Sequence, residues 1–447
     1  MELLLNLISE YLEYILFGGM VFVSFHFITR KQKQQKFARK ILDKTIKSGM
    51  NEPLTLHPEI NSSLCGGCAS CTKVCPEGDI LRMINHKAVL VNPTKCVGHG
   101  ECERACPYGA IDLVFGTKTR GVDIPRVSSD YETNVPGLYI AGELGGMGLI
   151  RNAIKQGNLA ASHAIKNLKD GQADVDLLIV GAGPGGIACG LTAITKKVSY
   201  KVLEQNSMGG TVYNFPRQKV VMTHPAELPG FGLMKFSRNK VSKEELLEYW
   251  TAVRKKSGLK VSEGVKFDNL EKKGDVFYVE TSKGTIKAKK VILCMGVRGS
   301  PRKLGLPNED TSKVAYNLVD PEQYQSQHIA VVGGGNAGVE AAQMLANPKY
   351  GNKVKLLVRG DQLDRCNDEN KAIIFDMEKK GQVEIKWNTV VSEIHPEKLI
   401  LETDGKKLEV PNHYLFVFAG AIMPHKFLMS LGIEIDKSFG DRKMKSA

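Results

Sequence analysis

The sequence has no Ser-His-Asp order, no paired-carboxylate motif and no His-Glu-x-x-His, so hydrolysis finds no residues to perform it. It also lacks the biases of collagen or of disordered chains. Of its 447 residues, 42% are hydrophobic and 24% charged, the balance of a globular chain long enough for about three domains. A nucleic-acid partner would want basic residues interleaved with aromatics across a folded face, whereas the main basic run directly follows an apolar segment. The net charge is +13, but Arg30 to Lys47 alone holds eight basic residues and one acid, leaving the remainder only mildly basic. Long apolar runs are scarce too. Glycine is abundant instead, at 45 residues, and predicts tight turns and close backbone approach to ligands.

One apolar run stands out near the start. Tyr14 to Thr29 carries no formal charge over sixteen residues, about 24 Å of helix against a hydrocarbon core of about 30 Å. Leu12 and the stretch from Leu3 to Ile8 lengthen it, with Glu10 and Glu13 interrupting. The acids come before the run and Arg30-Lys31-Gln32-Lys33 after it. That order is the reverse of a cleavable signal, and it places residue 30 onward on the cytoplasmic side. The expectation is a single-pass anchor in the cytoplasmic membrane over residues 1–29, with a basic juxtamembrane linker over 30–54 lying against anionic headgroups. An interfacial helix is the alternative.

Seven of the ten cysteines fall between Cys65 and Cys106. Cys65-x2-Cys68-x2-Cys71-x3-Cys75-Pro76 is a run that wraps three thiolates around one iron-sulfur cube and sends the fourth to a neighbouring cube. Structural zinc prefers separated pairs of ligands. A second run, Cys96-x5-Cys102-x3-Cys106-Pro107, ends in the same way, and with it the segment resembles the bacterial two-cluster ferredoxins over roughly residues 55 to 116. The resemblance implies one [4Fe-4S] cluster on Cys65, Cys68, Cys71 and Cys106, and a second on Cys75, Cys96 and Cys102. The second is one thiolate short, and His99 stands in the gap, in Cys96-Val-Gly-His99-Gly-Glu-Cys102. Three readings stay open: His99 ligates a [4Fe-4S] cluster, the site holds a [3Fe-4S] cluster with no fourth ligand, or His99 faces solvent and no stable second cluster forms.

Two glycine loops follow. Asp176-Leu-Leu-Ile-Val-Gly181-Ala-Gly183-Pro-Gly185-Gly186 is an apolar strand entering Gly-x-Gly-x-x-Gly, with Glu204 closing the next strand. That context brings a pyrophosphate to a helix N-terminus and ribose hydroxyls to an acid. His328-Ile-Ala-Val-Val-Gly333-Gly-Gly335-Asn-Ala-Gly338-Val-Glu340 repeats the pattern about 150 residues later, so the chain is expected to carry two nucleotides. Residues 174 to 447 resemble the two-dinucleotide flavoproteins of the thioredoxin reductase family, which implies FAD on the first loop and NAD(P)H on the second. Met208-Gly-Gly210-Thr211 resembles the stretch passing the flavin, Ile292-Leu-Cys-Met-Gly296 a strand between the domains, and Tyr414 to Pro424 the returning strand.

The family's last FAD-domain element is missing after that strand and is found upstream. Thr133-Asn-Val-Pro-Gly137-Leu-Tyr-Ile-Ala-Gly142-Glu143, followed by a helical Ile150-Arg-Asn152-Ala to Ala161, matches it, so the chain resembles a circular permutation, which domain termini close together would permit. By the resemblance Glu143 holds the ribitol, in place of an aspartate, and the helix carrying Asn152 aims its N-terminus at the flavin. Arg359 ends the strand after the second loop, where an acid would favour NADH. With Arg365 it favours a 2′-phosphate and thus NADP(H), unless it is a solvated strand end.

The paired Cys-x-x-Cys of thioredoxin reductases is absent, Cys366 being the only cysteine between Gly305 and Asn412. Cys189 and Cys294 sit where a buried cysteine is usually a small hydrophobe. Relatives that reduce bacillithiol disulfide lack the pair too, so thiol chemistry through one cysteine stays open.

The expected fold is α/β, with two Rossmann-like dinucleotide-binding domains, a small α+β ferredoxin domain and one transmembrane helix. Expected boundaries are 55–118 for the ferredoxin, 119–170 for the permuted element, 174–300 for the FAD domain, 301–412 for the NAD(P)H domain and 413–447 for the return to the FAD domain. The expected activity is electron transfer between NAD(P)H, FAD and the clusters, to or from a quinone, a ferredoxin, a flavodoxin or a membrane enzyme. The alternatives are a membrane-attached thiol/disulfide reductase and a non-catalytic redox-sensing adaptor.

Overall fold

The computed structural model describes the chain except residues 1, 48–50, 54–55, 147, 223–225, 238–239, 298–300, 421, 423 and 443–447. Of residues 2–10, 12, 13, 15 and 441–442 only the backbone is described, so the side chains of the Leu3 to Ile8 stretch, Glu10, Leu12 and Glu13 lie outside the described residues. Ala421 and Met423 of the returning stretch lie outside them as well. The chain divides into two compact units, Met1–Val114 and Phe115–Ala447.

In the first unit, Glu2–Lys47 forms one continuous helix of 46 residues. The membrane expectation is corrected here: among the described residues, no helix is long and apolar enough to cross a membrane. The uncharged stretch covers only about four and a half turns at 3.6 residues each, and Gly18, Gly19, Ser24, His26 and Thr29 dilute its hydropathy. Phe17, Phe22 and Phe25 are exposed. The basic stretch from Arg30 to Lys47 is likewise not a linker but the second half of this helix, packed along the cysteine-rich domain. Arg39 donates to Asn85 Oδ1 at 2.6 Å, Lys31 Nζ lies 3.2 Å from His86 Nδ1, and Thr45 Oγ1 donates to the Val91 carbonyl at 2.9 Å. Ala38, on the same stretch of helix, is buried.

The cysteine-rich domain itself is small. His57–Ile60 pairs antiparallel with Ile111–Phe115, and Leu81–Ile84 with Lys87–Leu90. Two short helices, Ser70–Val74 and Glu101–Arg104, lie within the two cysteine runs and carry Cys71 and Cys102. Its core is Cys71, Ile80, Leu81, Ala88, Cys102 and Ile111, too few apolar residues to stabilise a fold of this size without further cross-links.

The second unit is built on two sheets. In the first, Val261–Glu263, Tyr200–Glu204, Val175–Val180 and Gly284–Leu293 run parallel, and Val276–Thr281 and Phe267–Lys273 continue antiparallel. Leu138–Ile140 adds a parallel strand beside Val291–Leu293. Residues 177–180 of Val175–Val180 are apolar on both faces because both are covered. Leu177 and Ile179 pack with Ile154, Ala161 and Leu191, while Leu178 and Val180 pack with Leu138, Ile140 and Phe277.

The second sheet is parallel, in the order Val314–Ala315, Tyr414–Val417, His328–Val332, Lys353–Leu357, Val383–Lys386. Tyr414–Val417 therefore belongs here, not to the return into the first sheet expected from residue 413. The return comes later, where Leu428, Leu431 and Ile433 join Leu138 and Leu178 in one core. A strand that leaves one parallel sheet for another reads as the same apolar run in either, so composition does not mark the crossing.

Candidate functional site

In the first unit the seven clustered cysteines separate into two cavities. Cys65, Cys68, Cys71 and Cys106 line one, with Gly66, Met83 and Tyr108. Cys75, Cys96 and Cys102 line the other, with Glu77, His99 and Glu101. The last cysteine of each run, Cys75 and Cys106, thus stands apart from its sequence neighbours and joins the other set. Burial pushes the Cys71 thiol up to about 11, and the nearby Cys65, Cys68 and Cys106 add to it. Cys96 is pushed to about 11 and Cys102 to about 12, burial again leading. Hydrogen bonds to Ser70 instead lower the exposed Cys68. Crowded thiols that repel one another as thiolates are the donor set that iron relieves, releasing protons as it binds. Among the described residues no group of three or more such donors is arranged for a single metal ion. His99 lines the second cavity rather than facing solvent, its side chain 15% exposed and 3.8 Å from Glu77.

In the second unit the first glycine loop joins Val175–Val180 to the helix Pro184–Thr195. The helix begins after Gly183 with no side-chain cap, leaving its first N–H groups for an anion. Gly186 admits no side chain, since a Cβ would lie 1.8 Å from the Gly181 carbonyl oxygen. Around Gly183 and Gly335 the space is open, as a ligand-facing turn requires. Glu204 accepts from Ala182 N at 2.8 Å and Asn206 N at 2.9 Å, which fixes the carboxylate below the loop with lone pairs to spare for hydroxyls. Gly210 closes over the same place, where a Cβ would lie 3.3 Å from Gly183 Cα.

Leu138–Ile140 leads through Gly142 into a turn over Glu143–Gly145 and then the helix Ile150–Lys166. A Cβ on Gly296 would lie 4.0 Å from both Glu143 Oε2 and Thr211 Oγ1, so three segments far apart in sequence converge. Asn152 occupies the first turn of that helix, whose N-terminus also lacks a side-chain cap. Sequence reasoning passed over Gln156. Its Oε1 accepts from Gly142 N at 2.7 Å, while its buried Nε2 has no partner among the described residues. An orphaned donor costs about 1–3 kcal/mol, and a bound group with acceptor oxygens removes that cost, so the cradle fits a flavin nucleotide. The signal was an amide within a buried stripe of small residues, Ala153, Gly157, Ala160 and Ala164.

The second loop repeats the first. The helix Asn336–Leu345 starts after Gly335 without a side-chain cap, and a Cβ on Gly338 would lie 2.3 Å from the Gly333 carbonyl oxygen. Arg359 and Arg365 are exposed and make no hydrogen bond or ion pair among the described residues. Lys219 donates to Glu340, tying a loop of the first lobe to this helix.

Residues 178–443, more than half of the chain, match the family model for pyridine nucleotide-disulphide oxidoreductases. The chain belongs to that family. Residues 57–107 of this oxidoreductase match the model of the 4Fe-4S dicluster domain. It is similar to the bacilliredoxin reductase Bdr of Bacillus subtilis, 25% identical over 59% of this chain and 82% of that one. A ferredoxin–NADP reductase of Ignicoccus hospitalis is 27% identical over 58% and 82%. The bacillithiol disulfide reductase structure from Staphylococcus aureus shares the fold, with a TM-score of 0.55 over 59% of this chain and 81% of that one, at 22% identity. The oxidoreductase is thus an FAD-dependent enzyme of the thioredoxin and ferredoxin–NADP reductase type, extended by a 4Fe-4S domain.

The thiols outside the clusters are all buried. Cys366 lies in the core of the second sheet. Cys189 and Cys294 meet, Sγ to Sγ, at 3.8 Å.

Proposed function

We propose that this oxidoreductase exchanges electrons between NADPH and a one-electron carrier of ferredoxin type, with its FAD domain circularly permuted and its dicluster domain as the outlet. When bound, FAD would supply hydride chemistry with NADPH, and the clusters would supply single-electron transfer. The observation that carries this reading is the division of seven thiols into two cavities on the chain that also bears two uncapped glycine loops. A reductase acting on disulfides alone has no use for the first. The name of the Ignicoccus relative supports the carrier class, being that of a protein acting on ferredoxin and NADP. The permutation is supported by Leu138–Ile140 and Ile150–Lys166, which precede the first loop in sequence yet complete its sheet and cover its helix. A Cβ on Gly157 would lie 2.2 Å from the Gly185 carbonyl oxygen.

The protein's own residues bind and orient. Uncapped N–H groups after Gly183 and Gly335 receive pyrophosphates, Glu204 receives the adenosine ribose, and Glu143 with Thr211 receives the ribitol side. Cys65, Cys68, Cys71 and Cys106 hold one [4Fe-4S] cluster, and Cys75, Cys96 and Cys102 with His99 hold the second. The test is NADPH-dependent reduction of an added ferredoxin, against a dithiol-forming assay with a disulfide substrate. Faster disulfide turnover than ferredoxin turnover would overturn the reading.

The preference for a 2′-phosphate is supported by the exposure of Arg359 and Arg365. Arg359→Ala is expected to raise KM for NADPH about tenfold, a loss of about 1.4 kcal/mol, and to leave that for NADH nearly unchanged. Equal effects on both nucleotides would return Arg359 to the role of a solvated strand end.

Thiol chemistry is the second reading, favoured by the approach of Cys189 to Cys294. The same geometry limits it. Burial pushes the Cys189 thiol up, the neighbouring Cys294 adds to the shift, and Cys189 donates to the Gly157 carbonyl at 3.2 Å. A protonated, enclosed thiol is a poor nucleophile. The double variant Cys189→Ser, Cys294→Ser is expected to keep NADPH-dependent ferredoxin reduction within about twofold of the parent, as two inert core thiols would. A loss of tenfold with flavin content intact would assign the pair to catalysis.

A further inference from the structure

The second cysteine cavity has three thiols and two candidates for a fourth donor that the first cavity has no need of. His99 and Glu77 both line it, and the His99 ring lies 3.8 Å from a Glu77 carboxylate oxygen. Glu101 lines it as well, but Arg104 holds that carboxylate through two nitrogens, at 2.7 and 3.3 Å. Glu77 is different. Its side chain is 33% exposed, and among the described residues His99 is the only basic group it pairs with. It follows Cys75-Pro76 directly, so its place is set by a residue of the same cavity.

His99 is held from the other side through its backbone. Arg104 Nη2 donates to the His99 carbonyl at 3.1 Å. Gly98 and Gly100 flank it at φ +77° and +78°, a left-handed pair that turns the chain sharply before and after the ring. A Cβ on Gly98 would lie 2.9 Å from the Leu56 carbonyl oxygen, so the loop rests on neighbouring backbone and has little room to shift. A fixed backbone leaves the ring torsions as the main freedom of this residue, and a Glu77 carboxylate oxygen 3.8 Å from Nε2 is one group near enough to bias them.

We propose that Glu77 is a positioning residue: it takes one ring nitrogen of His99 and leaves the other as the fourth protein donor to the second cluster. Metal-bound histidines commonly give their second nitrogen to a carboxylate, which fixes the tautomer and raises ligand basicity. The inference rests on the two-cluster reading above. It adds that the second cluster keeps four irons, because a three-iron site would leave both His99 and Glu77 without a role in its cavity.

The test uses the full chain, reconstituted with iron and sulfide, and pulsed electron paramagnetic resonance of the dithionite-reduced clusters. The parent is expected to show an imidazole nitrogen coupling that His99→Ala abolishes. Glu77→Ala is expected to lower the fraction of second sites with that coupling at least about tenfold at limiting iron, within the 10–100-fold range for losing such a partner. Glu77→Gln, which keeps an acceptor of the same shape, is expected to recover most of it. The signal of the first cluster reports folding in every variant. Full nitrogen coupling in Glu77→Ala would overturn the positioning role. A three-iron signal without nitrogen coupling in the parent would overturn the fourth-ligand assignment and leave a second cluster standing. Iron for only one cluster in the parent would instead remove the two-cluster reading itself.

Discussion

Cys106→Ser is expected to abolish the cluster assigned to Cys65, Cys68 and Cys71 and to spare the one assigned to its own sequence neighbours, Cys96 and Cys102. Cys106 lines the cavity of the first run, and its sulfur accepts from Ala110 N at 3.3 Å. Cys75→Ser should do the reverse, because Cys75 lines the cavity of the second run. Losing a second-sphere partner already costs about 10–100-fold in metal affinity, so losing a ligand should exceed that. Each variant should hold about half the parent's iron. Ferredoxin reduction should fall at least about 100-fold in a variant whose missing cluster lies on the electron path, while NADPH still bleaches the flavin. Iron and sulfide content, read with the electron paramagnetic resonance signal that survives, checks the crosswise pairing. If Cys106→Ser and Cys102→Ser lose the same signal, each run serves its own cluster and the assignment is wrong.

Gly186→Ala should have the larger effect on the flavin. Its Cβ would lie 1.8 Å from the Gly181 oxygen, well inside contact distance. Helix Pro184–Thr195 would then have to draw away from Val175–Val180 by more than an ångström. Overpacking of this kind costs about 1–3 kcal/mol or more in stability, and it displaces the uncapped N–H groups that receive the pyrophosphate. The purified variant is expected to carry under about a tenth of the parent's FAD, since a loss of about 1.4 kcal/mol in binding is already tenfold. Absorbance at the flavin band per unit protein measures this, with iron content as the control for the other unit. Gly183→Ala is the comparison, because no described atom lies within 4 Å of the added carbon. Any flavin loss there comes from the ligand's own approach. Parent-like flavin content in both variants would move the nucleotide away from this loop.

The thiol spacing and the glycine loops were legible because both are local chemistry. A cube needs Cys-x2-Cys-x2-Cys around one face, and a dinucleotide needs glycine where the chain turns under a phosphate. Within the Thr133 to Glu143 stretch the sequence pattern and the structure agree on a strand, a left-handed Gly142 and a turn at Glu143. What could not be read depends on contacts between distant residues. Gln156 becomes a backbone acceptor only once Gly142 reaches it, and Cys189 meets Cys294 across 105 residues. Glu77 carries no signal in the sequence and meets His99 only once that loop folds against it. The membrane reading failed where charge order was allowed to stand in for length and hydropathy. Positive charge after an apolar run orients a span that exists but does not create one. Here the basic half of the helix has its own partners, Asn85 and His86.

The central claim is that nucleotide, flavin and clusters serve one electron path. An anaerobic titration of the iron-replete protein with NADPH measures it directly, following the flavin by absorbance and the clusters by low-temperature electron paramagnetic resonance. The account predicts that the flavin bleaches and that cluster signals change within the same titration. Flavin that bleaches while both clusters stay silent, even with a low-potential mediator present, would contradict it and leave the dicluster domain as a sensor rather than an outlet.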